Sequence, residues 1–244
     1  MIDFDRVDAT NLATQGYYID DIGKLKIDAL SQSLLRINPE VQIKKSSKNF
    51  LELQEKELIE LIGGSNLILM MTDDFNAQKR GNLFALKYKI PAVFALMYEK
   101  AKGAEVVFTI PGVTPACYRC AVSSRYKAYE QGYQNDVTSQ GSNSLQTHYL
   151  NSVIGLIALS MLHCNNKTVN LGGWYPNNWE KNLLQLRLHP DYENKLFQQS
   201  GNPRAFCFDS VWQSIEYEAP PKYDFCPDCG GHGDLMKVTI NHSI

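Results

Sequence analysis

The sequence predicts an α/β protein: a doubly wound, mainly parallel sheet of Rossmann-like type, closed by a stapled C-terminal segment. Three observations predict it. Strand-like apolar runs alternate with amphipathic helix-like runs through the first half of the chain. Aspartates stand where two of those strands end, Asp3 and Asp73. Two Cys-x-x-Cys pairs, Cys117/Cys120 and Cys226/Cys229, stand with 105 residues between them.

The opening IDFD reads as a strand followed by a polar loop. Asp20 and Asp21 offer N-cap chemistry for a helix whose inward face is Ile27, Leu30, Leu34 and Ile37, spaced by 3, 4 and 3. Asn38-Pro39 stops it. VQIKKS reads as a strand. LELQEKELIELIGG reads as a helix with Leu51, Leu58 and Ile62 inward, ended by Gly63-Gly64. NLILMM is continuously apolar, as a parallel strand buried on both faces should be. It breaks at Thr72-Asp73-Asp74 into a helix reaching Lys89, and PAVFAL and AEVVFTI follow as strands. In doubly wound sheets ligands bind beyond the carboxyl ends of the strands, where Asp3 and Asp73 are expected.

Ser123–Ser144 is polar and poor in aliphatic residues, so it reads as a long loop or lid, and LQTHYLNSVIGLIALSML as a largely buried helix. LLQLRLH and RAFCFDSV read as strands, APPKYDF as a linker and MKVTI as a last short strand. Residues 1–163 then form the α/β core, and 164–244 the C-terminal strands and stapling segment of the same domain.

Composition removes several function classes. A net charge of −2, without a Lys/Arg cluster beside the cysteines, gives no case for nucleic acid or an anionic membrane. The longest apolar run, residues 67–71, is too short to span a bilayer. The acidic start MIDFDRVD has no signal-peptide core, so a cytoplasmic protein is expected.

In a reducing compartment, Cys-x-x-Cys pairs are metal ligands or redox dithiols. Two such pairs complete a tetrahedral four-cysteine zinc site that staples distant segments. A redox dithiol is the alternative, although neither pair is expected to open a helix after a strand. His232 is a substitute ligand or a loop residue, and Cys164 and Cys207 read as small apolar side chains. Asp3, at a strand end, can accept from a ribose hydroxyl, and a lysine of GKLK can lie against a phosphate. On spacing alone, turn capping and solvation are the favoured reading of these residues.

The ordered string D-x-D-x-V-x-x-x-N-L-x-x-Q, D-x-G-x-x-K, I-N-P, T-D, P-x-C-Y-x-C and C-P-x-C-G resembles the ThiF/MoeB/HesA family of adenylating enzymes that activate ubiquitin-like proteins. The match runs from Asp3 to Cys229. The resemblance implies an ATP site with Asp3 at the ribose, Asn11 near the phosphates, Lys26 on phosphate at the reacting centre, and Asp73 linked to Mg²⁺ and ATP. It implies a structural zinc on Cys117, Cys120, Cys226 and Cys229. The implied partner is a ubiquitin-like or sulfur-carrier protein ending in Gly-Gly, whose own carboxylate attacks, and a homo- or heterodimer is expected.

Departures from the pattern shape the expectation. The family's glycine-rich phosphate turn should precede Asp3 by about 20 residues, and it is not among these 244. Thr14 and Gln78 stand where arginines are expected, with Arg80 on a different helix face. QNDVTSQGSNS offers no thioester cysteine and Cys164 is expected to be buried, which leaves adenylation without transthiolation. A non-catalytic subunit of an activating enzyme is the competing reading. GGWYPNNW, around Trp174 and Trp179, reads as a docking surface or as loop packing.

Overall fold

Strand β1 (Ile68–Met70) pairs in parallel with β2 (Ala92–Met97) across helix α3 (Phe75–Tyr88), the one βαβ unit of the sheet among the described residues. The structure is a computed structural model that describes residues 1–134, 141–164, 166, 168, 171–172, 179–194, 197, 208–215 and 225–231. The chain divides into two units, Met1–Gly64 with Gly141–His148, and Ser65–Gln140 with Tyr149–Ile244.

The second unit holds a five-stranded sheet in the order β1-β2-β3-β4-β5, completed by β3 (Gly103–Thr109), β4 (Leu183–Arg187) and β5 (Asp209–Gln213). The α/β class holds, but the sheet is mixed. Among the described residues only β1/β2 is parallel, and the β2/β3, β3/β4 and β4/β5 pairs are antiparallel. The connection from β2 to β3 spans only residues 98–102. A parallel crossover needs about a dozen residues, so the chain must double back.

NLILMM is also not buried on both faces. Ile68 and Met70 are buried while Leu69 is 49% exposed. α3 covers the inner face so closely that a Cβ on Gly81 would meet the Met70 sulfur at 2.8 Å. Asp74 caps α3 by accepting from the Asn76 and Ala77 amides.

On the sheet, Val93, Val106, Phe108, Leu184 and Leu186 pack with Leu150, Ile154, Ile157 and Met161 of α6 (Ser144–His163). α6 is long and apolar enough to cross a membrane, but this stripe lies in the core. Its other face carries the partly exposed Leu156, Leu159 and Leu162, so the helix is half-buried rather than largely buried.

The segment expected to be loop from Ser123 forms α5 (Ser123–Glu130), directly after the short α4 (Tyr118–Ala121). Aromatic side chains supply the apolar contacts that aliphatic residues do not. Tyr129 stacks on Phe75 at 4.0 Å and Tyr126 meets the same ring edge-on at 4.8 Å. The rest of that stretch at 135–140, most of GGWYPNNW, Cys207, His232, APPKYD and MKVTI lie outside the described residues.

In the first unit the two expected strands reduce to bridges. Ile2 pairs with Ser46 in parallel, and Arg6 pairs with Leu25 antiparallel. Helix α1 (Lys26–Ile37) starts after the Gly23 turn, so Asp20 and Asp21 lie in a 3₁₀ turn upstream of it. The expected inward face is only partly inward: Ile27 is buried, but Leu30 and Ile37 are 42% and 81% exposed. α2 (Glu55–Ile62) buries Leu58 completely, whereas Leu51 precedes the helix and is exposed.

Candidate functional site

The first unit brings three of its opening polar residues together. Asp5 donates its amide to Asp3 Oδ1 at 2.8 Å. Lys26, the first residue of α1, donates its amide to the Asp5 carbonyl at 2.9 Å and its Nζ to Asp5 Oδ2 at 2.8 Å. The Lys26 side chain is largely covered and that of Asp5 half-exposed. Burial, and then the charges of Asp3, Asp21 and Asp5, push the Tyr17 hydroxyl above its ordinary value.

Asp5 and Tyr17 were missed by sequence reasoning. A signal for Asp5 was available, because residues i and i+2 of an extended segment share a face and IDFD puts Asp3 and Asp5 there. Tyr17, in an irregular loop, carries no such periodic mark.

Asn11 does not join this group. Its Oδ1 accepts from the Asp8 amide at 2.9 Å while Asp8 Oδ1 accepts from Thr10, a reciprocal cap on the 3₁₀ turn Ala9–Ala13. The Thr14 hydroxyl donates to the Thr10 carbonyl at 3.4 Å.

Asp73 belongs to the second unit, in the exposed turn between β1 and α3. Gln78 is 1% exposed, and its amide donates to the Thr72 carbonyl at 2.7 Å. A position expected to present a side chain to phosphate is built into the core instead.

The second unit assembles the four cysteines. Their Sγ atoms all lie within 4.8 Å of one another, and none of the four residues is more than 3% exposed. The Cys117–Cys120 and Cys117–Cys226 sulfurs are 3.8 Å apart and the Cys120–Cys229 pair 3.5 Å. Tetrahedral zinc with bonds of about 2.3 Å places its sulfurs about 3.8 Å apart. The donor set fits a thiolate-bound metal, because four buried sulfurs converge at the spacing of a tetrahedral site.

Two corrections attach to the cysteines. Cys117 does open a helix, as the N-cap of α4, so helix position does not exclude a dithiol. Four sulfurs in one cluster argue for a metal instead. Cys164, expected to be buried, is exposed at the end of α6.

The knuckle is tied into its surroundings. Gly230, at φ 62°, returns its amide to the Cys226 carbonyl at 2.7 Å. Between the two C-terminal cysteines, the buried Asp228 accepts from Asn82 Nδ2 at 2.9 Å and from Arg119 at 3.3 Å. Asn82 Oδ1 in turn accepts the Tyr118 amide at 3.1 Å.

A family model described as the ThiF family matches residues 1–195. The chain belongs to the ThiF family. Among relatives of this ThiF-family chain, the molybdopterin-synthase adenylyltransferase of Salmonella typhimurium is 30% identical over 121 residues, covering 49% of this chain and 47% of the relative. The ubiquitin-like modifier-activating enzyme 5 of Arabidopsis thaliana is 25% identical over 134 residues, or 50% and 31%. The matched regions thus span half or less of these curated relatives. The fold is similar to that of E. coli MccB solved with ATP, at a TM-score of 0.57 and 19% identity, over 94% of this chain and 58% of that one. PaaA gives the same TM-score and identity, over 88% and 63%.

Proposed function

We propose that this chain supplies part of an ATP-dependent activating centre that adenylates the C-terminal carboxylate of a ubiquitin-like or sulfur-carrier protein ending in Gly-Gly. The observation that carries the reading is the ThiF-family match over residues 1–195, which includes the Asp3–Asp5–Lys26 cluster. Relatives named as an adenylyltransferase and a ubiquitin-like modifier-activating enzyme support the reaction class.

In this reading Asp3 accepts from the ribose hydroxyls and Asn11 lies near the phosphates. Lys26 leaves Asp5 to meet the negative charge that develops on phosphate. Asp73, exposed and carrying hard oxygen donors, suits Mg²⁺, which neutralises phosphate charge when bound. A carboxylate oxygen of the partner attacks the α-phosphorus, the bond to the bridging oxygen of pyrophosphate breaks, and an acyl-adenylate remains. No protein nucleophile is required. Zinc on the four cysteines is structural, its coordination closed by four thiolates. The described cysteines form no disulfide, which accords with a cytoplasmic setting, and a homo- or heterodimer is the expected assembly.

ATP–pyrophosphate exchange, measured with Gly-Gly-terminated carrier proteins and with short peptides, tests the reading. Exchange that depends on a partner and disappears in Lys26→Ala supports it. Background exchange with every acceptor, unchanged by Lys26→Ala, ends it.

A second reading, a non-catalytic subunit, is favoured by Gln78, which is sequestered in the core where the family pattern expects an arginine. Calorimetric titration with ATP·Mg²⁺ separates the two. A micromolar Kd, about −8 kcal/mol, rejects an inert scaffold.

A further inference from the structure

We infer that Gln78 and Tyr118 are positioning residues for the Asp73 turn, linking it to the cysteine site by a continuous chain of hydrogen bonds. The inference rests on the proposed role of Asp73 for its catalytic meaning, but not for its structural content.

The chain begins at the cysteines. Cys117 stands at the N-cap position of α4, directly before Tyr118, whose amide is held by Asn82, itself bonded to Asp228 between the two C-terminal cysteines. The Tyr118 side chain is 1% exposed, and its ring stacks on Phe94 of β2 at 4.5 Å, which aims the hydroxyl along the sheet. That hydroxyl donates to Gln78 Oε1 and accepts from Arg125 Nη1 at 2.9 Å. The same Arg125 Nη1 lies 2.7 Å from Glu105 Oε1 in an ion pair, and Glu105 Oε2 accepts from Tyr98 at 2.7 Å.

With Oε1 occupied, the Gln78 amide has one orientation, and its Nε2 donates to the carbonyls of Thr72 at 2.7 Å and Ala95 at 3.4 Å. Thr72 immediately precedes Asp73, and its hydroxyl accepts the Asp74 amide at 3.1 Å. The residues flanking Asp73 are therefore held by two side chains, one of them answering to the cysteine site. Gln78 and Asn82 lie four residues apart on one face of α3, so both ends of the link use the same helix surface. Gln78 is bonded through both its oxygen and its nitrogen, so turning its amide would strand buried polar groups.

The geometry makes separable demands on its parts. Tyr118→Phe keeps the ring stack and the cysteines but removes the hydroxyl that orients Gln78. Gln78→Glu keeps an acceptor for Tyr118 but removes the donor to Thr72. Both variants are made in the full zinc-loaded chain, and amide hydrogen exchange is followed by mass spectrometry.

The expected result is exchange about tenfold faster at residues 73–77 in both variants, the effect of losing one buried hydrogen bond of ordinary strength. Val106 and Val107 of β3 stay unchanged, and zinc content stays at the wild-type value. Unchanged exchange at 73–77 in both variants overturns the inference. So does uniform acceleration across the sheet, which would mark the two residues as general core packing. Where wild-type exchange activity exists, both variants raise the half-saturating Mg²⁺ concentration several-fold more than they lower kcat. Where none exists the proposed activity fails, and the hydrogen-exchange result still decides the link.

Discussion

Lys26 Nζ lies 2.8 Å from Asp5 Oδ2, and the same two residues are joined again by a backbone hydrogen bond of 2.9 Å. The double tie holds the first turn of α1 against the opening segment and keeps the lysine on Asp5, largely out of solvent.

This arrangement predicts a separation of stability from activity at Lys26. An ion pair with a half-exposed partner contributes at most about 1 kcal/mol, so Lys26→Ala shifts the denaturation midpoint only slightly. Under the proposed function, loss of a cation at the developing phosphate charge lowers ATP–pyrophosphate exchange about 100-fold or more. Asp5→Asn, which weakens the hold on Lys26, leaves most of the exchange intact.

Metal content is expected at one zinc per chain by elemental analysis. Cys229→Ser or a strong chelator removes it. Ordering of the second unit around the cysteines is lost with it, since metal-binding free energy in such sites is folding free energy. The check is a lowered melting temperature that zinc restores in the wild type and does not restore in the variant.

Asp228 and Asn82 predict a stability cost away from any nucleotide. Asp228→Ala leaves Arg119 and Asn82 without a buried carboxylate partner, at a cost of about 3 kcal/mol. Asn82→Ala leaves Asp228 and the Tyr118 amide underpaired, at about 2 kcal/mol. Urea unfolding measures both, and their sum should exceed the cost of the double variant because they share one network.

Acid should weaken the first unit. Asp8 is held below its usual value by the Thr10 amide, Asp21 by the Tyr18 amide and Lys24, and Glu57 by Lys48 and the Gln54 amide. A carboxyl with a lower pKa when folded binds fewer protons folded than unfolded, so its contribution is present at neutral pH. That contribution is lost as pH falls below the ordinary carboxylate range of about 4. Melting temperatures between pH 7 and pH 3 should fall, and Asp21→Asn should flatten part of the slope.

The meeting of the four cysteines was legible from their spacing, because two short Cys-x-x-Cys turns present paired sulfurs that one site can gather. Helices α2 and α3 were legible because their caps and apolar spacing are local. α5 was not legible: its packing depends on Tyr126 and Tyr129 reaching Phe75, some fifty residues earlier in the chain. The Asp3–Lys26 neighbourhood was half legible, since the motif marks both residues, while Asp5 joins them only through a bridge-like fold-back.

By itself the sequence determined the α/β class, the order of its main elements and which four cysteines come together. These follow from short-range periodicity, capping and the chemistry of thiolate pairs. Only the tertiary structure decided that the sheet turns antiparallel after β2, that Gln78 faces inward on the Thr72 carbonyl, and that Lys26 rests on Asp5. Strand direction, burial and ion pairing are settled between segments far apart in the chain, where no local pattern records the outcome.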